Sequence, residues 1–157
     1  MTVLLPTVED TRAFGARLAR LLRAGDLLVL TGPLGAGKTA LTQGIGVGLD
    51  VVGVVNSPTF VIARTNPPKG DGASLLHVDA YRLGSLEELD DLDLDASVDD
   101  SVTVVEWGAG MAEALSDSHL EVRIRRRDDD AREITLHGRG GDWAERLKQL
   151  EEAPASC

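Results

Sequence analysis

A glycine-rich segment, Gly32–Thr39, contains the residue types that bind phosphate groups. It matches the pattern G-x-x-x-x-G-K-[ST] at every position. In such a loop, glycines let consecutive backbone N–H groups point at phosphate oxygens, and the following helix adds the positive end of its dipole. The Lys38 ammonium would reach the β- and γ-phosphates, and the Thr39 hydroxyl would bind magnesium. The segment therefore predicts a site for a nucleoside triphosphate with magnesium.

Two acidic residues that end short apolar runs are candidates for the chemistry at these phosphates. Asp79 follows Leu75–Val78, and Glu106 follows Val102–Val105. Ligands of open α/β sheets bind at the carboxyl ends of parallel strands, where both acids would lie. One acid would hold magnesium and the other would position the attacking water, and the pattern does not decide between them. His77, inside the first run, is interpreted as a core histidine rather than a ligand.

Two other segments could contact the nucleotide. Ser57–Phe60 places hydroxyls beside a proline and suits either a switch loop that senses the γ-phosphate or a plain turn before a strand. Trp107 could lie at the nucleotide, at a partner surface or in the core. Arg82 could contact phosphate or pair with an acid. These alternatives stay open on the sequence alone.

Helices and strands must alternate around these residues to bring them together. Thr7 and Asp10 predict a helix N-cap, and Gly25 fits the end of that first helix. The run Leu27–Leu30 predicts a buried strand before the loop, and a second helix is expected from Lys38 to about Leu49.

The rest of the chain predicts further elements. We expect a β-rich stretch at Val51–Val55 or Thr59–Ala63, a turn-rich loop at Asn66–Gly72 and an acidic helix after Ser85. Alternation predicts a hairpin of Leu120–Arg126 and Glu133–His137, and a last helix follows Asp142 with Trp143, Leu147 and Leu150 on one face. The fold class predicted is α/β: a single P-loop NTPase domain over residues 1–152, with a tail at 153–157. Its mainly parallel sheet is flanked by helices and carries an antiparallel edge hairpin.

Composition limits the possible partners and location. The 26 acidic and 16 basic residues give a net charge of −10, which argues against autonomous DNA or RNA binding. No Lys or Arg occurs from Leu83 to Val122, whereas Arg123–Arg127 is rich in arginine. There is no run of about 18 apolar residues that could span a membrane. Acidic residues stand where a signal peptide would be basic or apolar, so we expect a cytoplasmic protein.

Four segments in order resemble the TsaE family, the small bacterial ATPases of tRNA threonylcarbamoyladenosine biosynthesis. The segments are Gly32–Thr39, Ser57–Phe60, His77–Arg82 and Val105–Trp107. The resemblance implies a compact P-loop fold, ATP and magnesium as cofactors, and weak hydrolysis of ATP stimulated by TsaB- and TsaD-like partners. It also implies contact with tRNA only through that assembly. In this family hydrolysis is thought to reset the assembly, while the partners transfer the threonylcarbamoyl group.

The resemblance also implies roles for individual residues. Lys38, Asp79 and Glu106 would serve catalysis, and Thr39 and Glu106 would hold magnesium. The nucleotide would contact Leu34, Gly35, Ala36, Gly37, Lys38, Thr39, Ala40, Thr59 and Trp107.

This chain departs from the family pattern at two places. Pro33 stands where the family often has Asp. Gly108–Gly110 follows Trp107 where a second Glu is common, and Glu113 is a weak substitute.

Three rival functions have some support in the sequence. A small-molecule kinase would need an arginine-bearing lid, and the acidic tract Glu87–Asp100 would repel an anionic acceptor. A regulatory GTPase would explain the D-x-x-G match at Asp50–Gly53, but that match follows Lys38 too closely and no N-K-x-D motif is present. A non-enzymatic module would use Glu87–Asp100, whose acids alternate with leucines, as a docking surface for a basic partner.

Overall fold

The computed structural model describes residues 2–32, 37–52, 63–70, 72–79, 101–106, 118–129 and 131–152. The first four elements alternate between strand and helix. Three further strands follow, and a hairpin and a helix come last. In chain order the elements are β1 (Thr2–Leu5), α1 (Val8–Ala19), β2 (Leu27–Thr31), α2 (Lys38–Leu49), β3 (Ala63–Asn66), β4 (Ser74–Asp79), β5 (Ser101–Glu106), β6 (His119–Arg126), β7 (Arg132–Arg139) and α3 (Trp143–Glu152).

Within the described part of the chain, seven strands form one sheet in the order β1-β7-β6-β2-β5-β4-β3. Its centre is parallel, because β2 pairs in parallel with both β5 and β6, and β4 pairs in parallel with β5. The edges are antiparallel: β3 pairs with β4, and β7 lies between β6 and β1. The predicted α/β fold, with a parallel core and an antiparallel β6–β7 hairpin, is confirmed.

The two helices that follow β1 and β2 pack on one face of the sheet. Their buried residues Leu18, Leu41 and Ile45 share a core cluster with Leu30 of β2 and Val104 of β5. Burial of a leucine or isoleucine side chain contributes roughly 1.5–3 kcal/mol, so this face supplies much of the stability. The packing of α2 against the sheet fixes the position of its first residue, and with it the end of the glycine-rich loop.

Close backbone contact joins α1 to α2. A Cβ built on Gly44 would lie 2.1 Å from the carbonyl oxygen of Arg12, and one on Gly15 would lie 2.4 Å from that of Leu41. Glycine is therefore required at both positions for the helices to approach this closely. The first helix thus supports the second helix directly.

The N-terminus of α1 was predicted correctly, whereas its C-terminus differs from the prediction. Thr7 Oγ1 accepts a hydrogen bond from Asp10 N, and Asp10 Oδ2 accepts one from Thr7 N, each at 3.1 Å. The helix ends at Ala19 rather than near Gly25, because residues 20–22 form tighter turns with i→i−3 hydrogen bonds. Leu22 is still buried in these turns, which explains why the apolar spacing looked continuous.

Two edge strands were not predicted. β1 precedes the first helix, and β3 begins at Ala63, the last residue of the stretch predicted to be β-rich. Asn66, expected in a surface loop, ends β3 instead; it is buried and donates from Nδ2 to the Val52 carbonyl at 2.9 Å. Residues 53–62 and the acidic helix expected after Ser85 lie outside the described residues.

The last helix was predicted correctly. Trp143 and Leu150 of α3 are buried, and Leu147 packs against the same core. Arg146 anchors this helix through a 2.6 Å contact between its Nη1 and Asp26 Oδ2, and its guanidinium stacks 4.3 Å from the Trp143 ring centre. α3 ends at Glu152, and residues 153–157 lie outside the described residues. None of the described helices is both long and apolar enough to cross a membrane.

Candidate functional site

The glycine-rich loop connects the carboxyl end of a central strand to the start of a helix. β2 ends at Thr31, and α2 begins at Lys38 with Gly37 as its N-cap. Gly37 has φ 112°, a backbone conformation that residues with a Cβ rarely adopt. The loop pattern therefore needs glycine at this position for a conformational reason, and the free N–H groups of the first helical turn face the loop.

Lys38 is folded back into the loop rather than extended into water. The residue is 6% exposed, and its Nζ donates a hydrogen bond of 2.6 Å to the carbonyl oxygen of Gly32. Its own carbonyl accepts from Thr42 Oγ1 at 2.9 Å. A buried ammonium requires strong acceptors, and phosphate oxygens are stronger acceptors than a peptide carbonyl. The position of Lys38 suits a bound anion at this loop.

The two predicted acids lie on neighbouring strands at the same level of the sheet. In the register of the parallel strands, Glu106 is opposite Leu30 of β2 on one side and opposite Asp79 of β4 on the other. Glu106 is 3% exposed. The Asp79 backbone ends β4, whereas its side chain lies outside the described part of the chain. As predicted, the backbone places Asp79, Glu106 and the end of β2 next to each other at the carboxyl ends of the parallel strands.

Glu106 has a buried partner that the sequence patterns did not indicate. His77 Nε2 lies 2.9 Å from Glu106 Oε2, and both side chains are almost fully buried. The interpretation of His77 as a buried residue is correct, but its contact with the acid was missed. A usable signal was present, because alternate strand residues share a face and His77 is two residues before Asp79.

Two further side chains adjoin the loop. A Cβ built on Gly37 would lie 3.5 Å from Arg132 Cγ, 3.6 Å from Arg132 Nε and 3.9 Å from Thr11 Cγ2. Arg132 begins β7, and Thr11 is a buried residue of α1. Sequence reasoning missed both, since no local pattern connects either residue with the loop. Only the docking of α1 and the hairpin around α2 brings them there.

The oxygen donors at the site fit magnesium that is shared with a nucleotide. Thr39 lies in the first turn of α2, and Glu106 ends the strand next to β2. Among the described residues no group of three or more His, Cys, Asp or Glu side chains could hold a metal by itself. Magnesium commonly takes one or two protein oxygens and completes its shell with water and phosphate. The donor set is consistent with that mode of binding.

Several predicted residues cannot be compared with the structure. Of the predicted nucleotide contacts, Gly37, Lys38, Thr39 and Ala40 are described, and Ala40 is buried in the first turn of α2. The predicted residues that lie outside the described residues are Pro33, Leu34, Gly35, Ala36, Ser57–Phe60, Arg82, the tract Glu87–Asp100, Trp107, Gly108–Gly110 and Glu113.

The arginine cluster begins beside the strand that leads into the loop, because Arg123 is opposite Thr31, the last residue of β2, in the parallel register. Arg123–Arg127 occupies the end of β6 and the residue after it. Arg125 Nη2 lies 3.2 Å from Glu133 Oε2, and Arg127 Nε lies 3.7 Å from Asp129 Oδ1. Acids of the same hairpin thus partly neutralise the cluster.

The fold and the site together define an α/β domain of the P-loop class. It has a glycine-rich loop after a central parallel strand, a helix beginning at the loop lysine, and an acid at the end of the adjacent strand. A sequence model of the family described as "Threonylcarbamoyl adenosine biosynthesis protein TsaE" matches residues 5–134. The chain therefore belongs to the TsaE family.

Individual relatives agree with this assignment. The TsaE protein of Streptomyces coelicolor is 58% identical over 138 residues, which is 85% of this chain and 93% of the relative. That of Bacillus subtilis is 38% identical over 144 residues, or 90% of this chain and 88% of the relative. The crystal structure of Bacillus subtilis YdiB superposes with a TM-score of 0.78 at 31% identity, covering 97% of this chain and 94% of that one. The family and the fold expected from the motifs are both confirmed.

Proposed function

We propose that this chain binds ATP with magnesium at Gly32–Thr39 and hydrolyses it slowly, as the ATPase subunit of tRNA threonylcarbamoyladenosine biosynthesis. The observation that carries the proposal is that two buried charged residues occur together here: Lys38 at the end of the glycine-rich loop and Glu106 on the strand adjacent to β2. The relatives of this chain are tRNA threonylcarbamoyladenosine biosynthesis proteins by name, which supports the pathway. ATP rather than GTP is proposed because the sequence has no guanine-recognition motif N-K-x-D.

The proposal gives each residue a physical task. The N–H groups at the start of α2 and the Lys38 ammonium would bind phosphate oxygens, in place of the Gly32 carbonyl that Lys38 now contacts. Thr39 and Glu106 would hold magnesium, which when bound neutralises charge on the β- and γ-phosphates. Asp79 would orient the attacking water. Arg132 and Thr11 would adjoin the bound nucleotide, since both lie beside Gly37.

The partners in this proposal follow from the family and from charge. The subunit would act with TsaB- and TsaD-like proteins in the cytoplasm, and its hydrolysis would reset the assembly between turnovers. A chain with a net charge of −10 is poorly suited to bind tRNA unaided, so tRNA would be contacted through the assembly. The transfer of the threonylcarbamoyl group would belong to the partners.

The proposal is tested by measuring phosphate release from ATP with the pure chain, then with the two partners, then with partners and tRNA. We expect a low rate for the pure chain and strong stimulation by the partners. Parallel reactions with GTP should be slower. Equal use of GTP, or consumption of ATP only when a small metabolite becomes phosphorylated, would contradict the proposal and favour a GTPase or a kinase.

A further inference from the structure

A histidine and a glutamate form a buried polar pair in an otherwise apolar part of the sheet. His77 and Glu106 expose 1% and 4% of their side chains, and Leu75 and Val104 beside them are fully buried. Removing two such groups from water has a cost, and apolar residues of similar size often give equal or greater stability. Fold stability alone therefore does not explain the pair.

The hydrogen bond between them runs diagonally across two parallel strands. Directly opposite Glu106 in the register is Asp79, and directly opposite His77 is Val104. The Glu106 carboxylate contacts the residue two positions earlier on β4 rather than the residue at its own level. The histidine contact thus fixes which way the carboxylate turns at the end of its strand.

Only one oxygen of this carboxylate is engaged by the part of the chain that the structure describes. Nε2 of His77 lies within hydrogen-bond distance of Oε2, and no hydrogen bond joins Oε1 to a described residue. Nδ1 of His77 is buried and has no hydrogen bond from a described residue. A neutral imidazole has one N–H, and with a carboxylate oxygen at 2.9 Å that proton is best placed on Nε2.

We propose that His77 is a positioning residue: its Nε2–H holds Oε2 of Glu106, so that Oε1 is presented to the magnesium of the bound nucleotide. This inference rests on the proposed function of the site. Metal ligands in proteins are commonly oriented by such outer hydrogen bonds, and losing one typically lowers metal affinity or activity about 10–100-fold. His77 would therefore act on the metal requirement and the rate, not on the affinity of the loop for ATP itself.

Two substitutions separate the hydrogen bond from the shape of the side chain. His77→Leu fills the apolar surroundings but removes the donor. His77→Gln places an amide N–H close to the position of Nε2. With the partners present, we expect His77→Leu to lower kcat about 10–100-fold and to raise the magnesium concentration needed for half-maximal rate. His77→Gln should recover most of both, and the KM for ATP should change little in either variant.

A matched control exists at the opposite end of the sheet. His119 is also buried and contacts a glutamate, with its Nε2 3.4 Å from Glu121 Oε1. It begins β6 beside the amino end of β2, whereas the loop follows the carboxyl end. His119→Leu should leave both the rate and the magnesium requirement as in the wild-type protein.

Binding experiments provide a readout that does not depend on turnover. Binding of a fluorescent ATP analogue in EDTA should be the same in the wild-type, His77→Leu and His77→Gln proteins. Mn²⁺ bound to the protein–nucleotide complex, followed by electron paramagnetic resonance, should be weaker only in His77→Leu. Thermal denaturation of each variant checks that it is folded.

The possible failures are distinct. Wild-type protein that does not bind ATP would overturn the proposed function and with it this inference. Suppose instead that the wild-type protein binds ATP and that Glu106→Gln impairs turnover as expected. Unchanged Mn²⁺ affinity and rate in folded His77→Leu would then overturn the positioning role alone. Equal losses in folded His77→Leu and His77→Gln would overturn it as well, because shape rather than the donor would matter.

Discussion

Nζ of Lys38 donates a hydrogen bond of 2.6 Å to the carbonyl oxygen of Gly32, which joins the first residue of α2 to the first residue of the glycine-rich loop. The ammonium is thereby held inside the loop and out of water. Burying an ammonium costs free energy, which its hydrogen bonds must offset. In the proposed function, this buried ammonium is the group that would meet the phosphate oxygens of the nucleotide.

Lys38→Ala should remove ATP hydrolysis and most of the affinity for the triphosphate. A hydrogen bond to a charged group contributes about 1.5–3 kcal/mol, so the dissociation constant should rise about tenfold to a hundredfold or more. Titration calorimetry with ATP and magnesium measures this change. Lys69→Ala is the control, because the Lys69 ammonium is exposed and forms a 3.5 Å ion pair with Asp50. Normal hydrolysis by Lys38→Ala would contradict the assignment of the loop.

Glu106→Gln should reduce magnesium-dependent turnover while leaving part of the nucleotide binding. The amide oxygen can still accept the hydrogen bond from His77, so the substitution removes charge with little change in packing. We expect a loss larger than the roughly 10–100-fold typical of an outer-shell partner. The measurement is the ATPase rate of the assembly as a function of magnesium concentration. A variant that hydrolyses ATP at the wild-type rate would show that Glu106 does not hold the metal.

Gly37→Ala should weaken nucleotide binding because of backbone strain. Atoms around the new Cβ would lie at 3.5–3.9 Å, an ordinary contact distance, but φ is 112°. Holding a residue with a Cβ in a sparsely populated conformation costs about 1–3 kcal/mol, and relief of that strain would distort the loop. Gly25→Ala is a matched control, since Gly25 has φ 95° and lies just before the amino end of β2, whereas the loop follows the carboxyl end. It should lower the melting temperature but not the ATP affinity; equal effects of both variants on ATP affinity would refute the argument.

Stability should fall in acid partly through Asp142, next to α3. Its carboxylate accepts from Arg23 Nη2 at 2.8 Å and from Arg146 Nε at 2.9 Å. Desolvation raises the pKa of Asp142, but the hydrogen bond from Arg23 and the positive charges of Arg146 and Arg23 together lower it below its usual value. This stabilisation is therefore complete above the unfolded-state pKa of about 3.9 and is lost as the pH falls through the lower folded-state value.

Urea denaturation of the wild-type protein and Asp142→Asn between pH 7 and pH 3 measures this contribution. At neutral pH the variant should be less stable than the wild-type protein. The difference should shrink as the pH falls below about 4, where the carboxylate of the unfolded wild-type chain begins to gain its proton while that of the folded protein is still charged. A difference that stays constant over the whole range would show that Asp142 stabilises the protein without its charge.

Much of the local structure was predictable because it depends on neighbouring residues. The capping box of Thr7 and Asp10 is confirmed, since two side chains three positions apart determine where α1 begins. The start of α2 at Lys38 is confirmed as well, but there the glycine-loop motif indicated it, because the N-cap Gly37 has no side-chain capping hydrogen bond. The strands β4 and β5 were apparent from their mostly apolar runs, and the structure shows these runs to be buried. The short edge strands β1 and β3 were missed because neither carries a clear period of its own, and β1 also pairs with β7 near the other end of the chain.

The sequence by itself determined the family, the α/β class and the identity of Lys38 and Glu106 as candidate site residues. Each of these rests on short motifs whose residue types and spacing indicate a fold or a chemistry. Tertiary structure alone decided that β2 lies between β5 and β6, which places Glu106 beside the loop strand. It also decided that His77 contacts Glu106 and that Arg132 lies beside Gly37. Such contacts join residues far apart in the chain, and they form only when whole strands and helices pack.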